Sequence, residues 1–96
     1  MNKEIEHRMR KFTTQCDDIV FNTKDHDYNA AGIDIEDYFP FDQYSCMHDI
    51  IKKTNRLRAL LTSGKVPKNE SVEDNFKDLF NYVRIGYAIL KSRGVI

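Results

Sequence analysis

Apolar residues recur along most of this 96-residue chain at the alternating steps of three and four that mark amphipathic helices. The first periodic segment runs from Lys3 to about Asn22, and the second runs from about Tyr44 to Ser63. The third begins near Asn69 to Ser71 and ends near Ser92, with Gly94 beyond it as a stop signal. The pattern therefore predicts three helices.

The stretch from Lys24 to Asp42 lacks this periodicity and reads as a loop that holds Gly32, Pro40 and several acidic and aromatic residues. A loop of this length is unusual in a compact domain unless it has a function. We therefore expect an all-α fold, with one domain over residues 1–96. The helices would form a three-helix antiparallel bundle with a long loop between helices 1 and 2.

The third helix has two different faces. One face is apolar and consists of Val72, Phe76, Leu79 and Val83. On the opposite face Glu70, Asp74 and Asp78 recur at four-residue steps, and Asn81 follows one turn later. This acidic stripe (Glu70, Asp74 and Asp78) continues toward the C-terminus as an apolar surface through Ile85, Ala88 and Ile89. A helix that is apolar on two sides is usually sandwiched, so we expect homo-oligomerisation to complete the bundle.

Three carboxylates on one helical face repel each other and attract a cation. That cation is a divalent metal such as Mg²⁺, a Lys/Arg cluster, or the ions of bulk solvent, and the residues leave all three open. Lys53 and Arg56 lie one turn apart at the edge of the apolar face of the second helix. From there they can reach the acidic stripe, bind phosphate, or remain a solvated flank with internal salt bridges.

Composition narrows the class of protein. Lys+Arg and Asp+Glu balance at 15 each, so a duplex nucleic-acid partner is disfavoured. The chain has no apolar run long enough for a membrane span and no signal-peptide pattern at its start, so we expect a cytoplasmic protein without a membrane partner. Cys16 and Cys46 both fall in apolar-periodic segments, which predicts buried reduced thiols.

Three motifs occur in a characteristic order. They are Lys24-x-x-Asp27-Tyr28, Lys53-x-x-Arg56-Leu-x-x-Leu60 and Glu70-Ser71-x-x-Asp74-x-x-x-Asp78-Leu-x-Asn81-Tyr82. Together, over about residues 12 to 90, they resemble the small helical domain named nucleotide modification associated domain 1. The resemblance implies a nucleotide ligand. Because that domain is common in bacteriophage genomes, it also implies, for a phage-encoded protein, location in the host cytoplasm.

The third motif also resembles the last metal-binding helix of the all-α NTP pyrophosphohydrolases, the MazG-like group. Asp74 and Asp78, followed by an aromatic-rich run, match that helix, where acidic side chains from two helices hold Mg²⁺. The other half of that site is a Glu-x-x-Glu pair on an earlier helix. The first helix has no pair at that spacing, and the second offers only Asp49.

These resemblances imply two alternative functions. The first is binding, which would sequester or process a modified or signalling nucleotide, linear or cyclic. Its candidate nucleotide-binding residues are Lys24, Asp27, Tyr28, Lys53, Arg56, Asn81 and Tyr82. The second is a Mg²⁺-dependent nucleotide pyrophosphohydrolase, with the metal on Glu70, Asp74 and Asp78. The absent Glu-x-x-Glu pair favours binding, and a helical protein-interaction module without catalysis remains a third alternative.

Overall fold

The computed structural model describes residues 1–24, 37–65 and 71–96, with only the backbone at Lys24. Its helices are α1 (Lys3–Asp18), a π-helical turn (Ile19–Lys24), α2 (Gln43–Thr62) and α3 (Val72–Ser92). These ranges contain no strand, so the all-α class with three α-helices is confirmed. No helix within them is both long and apolar enough to cross a membrane.

The chain divides into two compact units, residues 1–37 and residues 38–96. The predicted single domain and the packing of all three helices into one bundle therefore stay predictions. Most of the predicted long loop, residues 25–36, lies outside the described residues.

The first unit begins with a capped helix. The Asn2 side-chain oxygen accepts a hydrogen bond from the backbone N–H of Glu4 at 2.8 Å, which satisfies one of the donors left free at a helix start. Two exposed ion pairs, Glu4–Arg8 and Glu6–Arg10, then join successive turns at 3.0 Å each. These local interactions explain why the helix starts at the predicted Lys3.

The end of the first helical segment differs in type from the prediction. α1 stops at Asp18, and the chain continues to Lys24 as a π-helical turn. π-helical turns are rare, and the periodicity of apolar residues does not distinguish them from α-helix. The sequence therefore predicted how far this helical segment extends, but not the change of helix type within it. Cys16 and Val20 are its buried side chains, while Ile5 and Met9 remain exposed.

In the second unit α2 and α3 pack antiparallel. Cys46 near the start of α2 lies against Gly86 near the end of α3, and Lys53 further along α2 bonds to Asp78 earlier in α3. A Cβ atom added to Gly86 would lie 2.5 Å from the Cys46 sulfur, much closer than non-bonded atoms approach. The glycine therefore allows the two helix backbones to come close together at this level.

The contact with α2 buries one of the two apolar sides of α3. On α3 the side continuous with the acidic stripe is buried, through Asn81, Ile85 and Ile89. The predicted apolar side of α3 keeps Phe76 and Val83 exposed. Gly86 is the physical reason, because it lies on the buried side and permits the closest backbone approach there. On α2, similarly, Cys46 and Leu57 are buried, whereas Met47, Ile51 and Leu61 are exposed.

Both ends of α3 are capped, at the bounds that the sequence predicted. The Ser71 hydroxyl accepts a hydrogen bond from the Asp74 N–H at 3.0 Å. At the other end Gly94 adopts φ +75°, and the N–H of Val95 bonds to the carbonyl of Leu90 at 2.9 Å. This Schellman arrangement needs a left-handed residue, which glycine adopts without strain.

Before α2 the chain makes a strained turn that Arg93 holds in place. Phe39 and Asp42 have φ values of +60° and +49°, which non-glycine residues rarely adopt. The Arg93 guanidinium donates hydrogen bonds to the carbonyls of Phe39 and Tyr38 at 2.8 and 2.9 Å, and to the Asp42 carboxylate at 3.0 Å. One side chain at the end of α3 thus compensates for the strain in a turn more than fifty residues earlier in the chain.

The Gly86–Cys46 contact predicts non-additive mutations. Gly86→Ala should lower the free energy of unfolding by about 1–2 kcal/mol, since overpacking outweighs the gain in helix propensity. In a Cys46→Ala background the same change should be neutral or stabilising, because the Cys46 Cβ would be 3.8 Å away. Urea denaturation of the four proteins of this cycle measures the coupling. An equal cost of Gly86→Ala in both backgrounds would contradict the close approach.

The Arg93 interaction predicts a second stability effect. Arg93→Ala should cost about 1–3 kcal/mol, because it leaves two carbonyls without their charged donor and the turn strain uncompensated. Arg93→Lys should be intermediate, since a single ammonium cannot reproduce the planar guanidinium fork. Thermal and urea unfolding measure both variants. Arg58→Ala, which removes an exposed arginine of α2, is the control and should change stability little.

Candidate functional site

Lys53 and Asp78 form the central contact of the candidate site. The Lys53 Nζ donates a hydrogen bond to Asp78 Oδ2 at 3.3 Å across the α2–α3 interface. The two side chains are only 18% and 23% exposed, so solvent ions screen this pair less than a surface pair. Lys53 therefore contacts Asp78 of the acidic stripe, which is one of the alternatives that the sequence left open.

Two tyrosine rings lie beside this ion pair. Lys53 Nζ is 5.7 Å from the centroid of the Tyr82 ring, within the range of a cation–π interaction. The Tyr38 ring lies nearly parallel to Tyr82, at a centroid distance of 6.3 Å and an interplanar angle of 22°. A cation, a carboxylate and two aromatic rings thus come together within the second unit.

Tyr38 and Arg93 are residues that sequence reasoning missed. Tyr38 belongs to an aromatic cluster, Tyr38-Phe39-Pro40-Phe41, which the sequence shows only as part of a loop. No periodicity marks a loop residue that contacts a helix. Arg93 follows the end of α3, where a cation suits the negative end of the helix dipole. Three hydrogen bonds of its guanidinium go to the turn before α2.

Asn81 is fully buried, and Arg84 donates a hydrogen bond from Nε to its side-chain oxygen at 2.9 Å. The Arg84 guanidinium also lies over the Phe80 ring, 5.1 Å from its centroid. The amide of Asn81 therefore contributes to a polar contact within α3. Its predicted role as a base-binding residue stays a prediction.

The other predicted residues lie apart from this cluster or outside the described chain. Arg56 is exposed on α2 one turn beyond Lys53, and Asp74 is exposed in the first turn of α3. Asp27, Tyr28 and Glu70 fall outside the described residues, and Lys24 is described only as the last residue of the π-helical turn. The predicted roles of these residues in nucleotide or metal binding stay predictions.

Asn75 is a second buried amide on α3, and sequence reasoning did not select it. Its Nδ2 donates to the Ser71 carbonyl at 2.9 Å, while its Oδ1 has no hydrogen-bond partner within the described chain. An unsatisfied buried acceptor costs about 1–3 kcal/mol. Asn75 precedes Asp78 by three residues, so the two side chains are neighbours on the surface of α3.

The two cysteines are buried. Cys16 and Cys46 form no disulfide within the described residues, in line with the predicted buried, reduced thiols. Burial raises the pKa of the Cys46 thiol, and the negative charge of Asp49 raises it further, so the thiol stays protonated at neutral pH. Within residues 1–24, 37–65 and 71–96, no three His, Cys, Asp or Glu side chains are grouped closely enough to hold a metal ion.

Comparison with known proteins gives one match. Residues 24–90 match the family model described as nucleotide modification associated domain 1. No curated protein and no solved structure matches the chain. The matched residues include all of α2, most of α3, and the Lys53, Asp78, Tyr38 and Tyr82 cluster. Because the match covers well over half of the chain, the protein belongs to the nucleotide modification associated domain 1 family.

Proposed function

We propose that this protein binds a nucleotide, with the Lys53 ammonium as a phosphate contact and Tyr82 as a base contact. The observation that carries the proposal is the position of Lys53, which is largely buried between a carboxylate and an aromatic ring. An ammonium in such a place forms stronger hydrogen bonds with an anion than one in open solvent. The family description, which relates the domain to nucleotide modification, supports the same class of ligand.

Asp78 imposes a condition on this binding. The carboxylate already neutralises Lys53 at 3.3 Å, so an incoming phosphate must compete with it and meets its negative charge. A second cation near the phosphate would remove this repulsion. Arg56, one turn along α2, is the basic candidate within this unit, and Mg²⁺ shared between Asp78 and the phosphate is the metal alternative.

Binding without turnover is the version that we favour. Two-helix metal sites need acidic side chains on both helices, and α2 presents Lys53 rather than an acid to Asp78. Asp49, the acid of α2 nearest to that position, lies 3.2 Å from the His48 ring. A protein of this kind would sequester a modified or signalling nucleotide, linear or cyclic, in the cytoplasm of the host if a phage encodes it.

A Mg²⁺-dependent pyrophosphohydrolase is the second candidate. Asp74 and Asp78 on successive turns of α3 favour it, with Glu70 completing the acidic stripe. In that case Lys53 and Arg56 would stabilise the charge that develops on the phosphates in the transition state.

The first test is nucleotide binding by calorimetry, over a panel of linear and cyclic nucleotides with and without Mg²⁺. Lys53→Ala should weaken binding about 10- to 100-fold, the value of a charge-assisted hydrogen bond of about 1.5–3 kcal/mol. Lys52→Ala, which removes a neighbouring exposed lysine of α2, is the matched control and should leave the affinity unchanged. Asp78→Asn should strengthen binding measured without Mg²⁺, because it removes the competing charge.

Release of pyrophosphate, the product of a pyrophosphohydrolase, in the same reactions separates the two candidates. Release that needs Mg²⁺ and disappears in the Asp78→Ala variant would show that the protein is the enzyme and would contradict binding without turnover. If no nucleotide of the panel binds the wild-type protein, the proposal itself is overturned.

We also propose that the protein forms a homodimer through α3. Phe76, Phe80, Val83 and Tyr87 recur at alternating steps of four and three and are all exposed. This face begins near Glu73 and ends near Lys91, both exposed. Two copies of α3 packed antiparallel would place Glu73 of each copy near Lys91 of the other. Charge complementarity thus favours a second copy as the partner.

A charge-swap experiment tests the dimer. Val83→Glu should give a monomer in sedimentation equilibrium, because it places a charge in the middle of the apolar face. Glu73→Lys and Lys91→Glu should each weaken the dimer, and the double variant should restore it. A wild-type protein that sediments as a monomer at high micromolar concentration would rule this interface out.

A further inference from the structure

The Tyr38 and Tyr82 rings are close and nearly parallel, yet they do not cover each other. Two stacked rings in full contact have planes about 3.5–4 Å apart, the contact distance of carbon atoms. The centroids of Tyr38 and Tyr82 are 6.3 Å apart at an interplanar angle of 22°. The rings are therefore offset or separated, and each leaves part of its face uncovered by the other. Both side chains are only half-buried.

We infer that Tyr38 and Tyr82 together form a stacking subsite for a nucleobase, and that Tyr38 is the residue that makes the site select nucleotides over simple phosphates. This inference rests on the proposed function, which places the phosphates at Lys53. Stacking of a base on an aromatic side chain contributes about 1–3 kcal/mol and tolerates different bases, because every base has a π-face. A purine, with the larger face, should bind more tightly than a pyrimidine.

The backbone around the subsite holds both rings in position before a ligand arrives. Tyr82 is on α3, one turn after Asp78. The carbonyl of Tyr38 accepts a hydrogen bond from Arg93 at 2.9 Å, and the next carbonyl, that of Phe39, accepts a second at 2.8 Å. Rings held in this way lose less conformational entropy when a ligand binds, which strengthens binding.

The position of Lys53 relates the subsite to the phosphate contact. Its ammonium lies 5.7 Å from the Tyr82 centroid, and the Tyr38 ring lies beside the same Tyr82 ring. A single nucleotide can therefore place its base on the tyrosines while its phosphate reaches Lys53. Tripolyphosphate, which has no base, can use only the Lys53 end. The two ligands thus report separately on the two halves of the site.

The test compares ATP with inorganic tripolyphosphate in calorimetric titrations of the full chain. In the wild-type protein ATP should bind at least about fivefold more tightly than tripolyphosphate, from the stacking contribution. Tyr38→Leu should abolish this difference and leave the tripolyphosphate affinity unchanged. Tyr38→Phe and Tyr38→Trp, which keep an aromatic face, should retain it. Circular dichroism and the melting temperature check that each variant is folded.

The outcomes separate this inference from the function on which it rests. Equal affinity of the wild-type protein for ATP and tripolyphosphate overturns the stacking subsite and leaves phosphate binding at Lys53 standing. Equal weakening of both ligands in Tyr38→Leu shows a purely structural role for Tyr38 and also overturns the subsite. If neither ligand binds the wild-type protein, both the proposed function and the subsite are wrong.

Discussion

The close approach of α2 and α3 at Gly86 is the constraint on which the described second unit depends. Because Gly86 has no side chain, the Cys46 sulfur occupies the place where a Cβ atom would otherwise lie. The approach also fixes which residues face each other further along the helix pair, since antiparallel helices that touch at one level keep their register over the next turns. Lys53 meets Asp78 two turns away from this contact as a result. The position of the candidate site thus follows from a packing contact in which no site residue takes part.

The second unit buries several polar groups for its small size. Among them are the fully buried amides of Asn75 and Asn81 and the largely buried Lys53–Asp78 pair between α2 and α3. Apolar residues at these positions would give more stability, since a buried ion pair often contributes less than a well-packed hydrophobic replacement. A small domain has little stability to lose in this way. Buried polar groups at positions where apolar residues would make the protein more stable fit the proposed ligand-binding site, since such groups supply hydrogen-bond donors and acceptors to a ligand.

Sequence reasoning predicted the helices and part of the site. The ends of α3 follow from the local signals Ser71 and Gly94, which act through the backbone of their own helix. The sequence also identified Lys53 and Asp78 from their positions in the helical pattern. Lys53 lies at the edge of the apolar face of α2, and Asp78 belongs to the acidic stripe of α3. The side of α3 that packs on α2 could not be predicted, because α3 has two apolar sides. Gly86 lies on one of them and allows the close approach of α2 on that side. Tyr38 could not be found either, because its place depends on a turn with positive φ angles held by a distant arginine.

The hydrogen bonds of Arg93 to the turn at Tyr38–Asp42 also determine the order in which the unit can be completed. The turn precedes both helices in the chain, whereas Arg93 follows them. During synthesis the turn residues emerge first, but their positive φ angles are compensated only when α3 has been made and docked. Until then an extended backbone is the more stable state of Phe39, and the Tyr38 ring has no fixed position. The Tyr38–Tyr82 ring pair therefore requires a chain that is complete through Arg93, so the pair is a mark of the fully formed second unit.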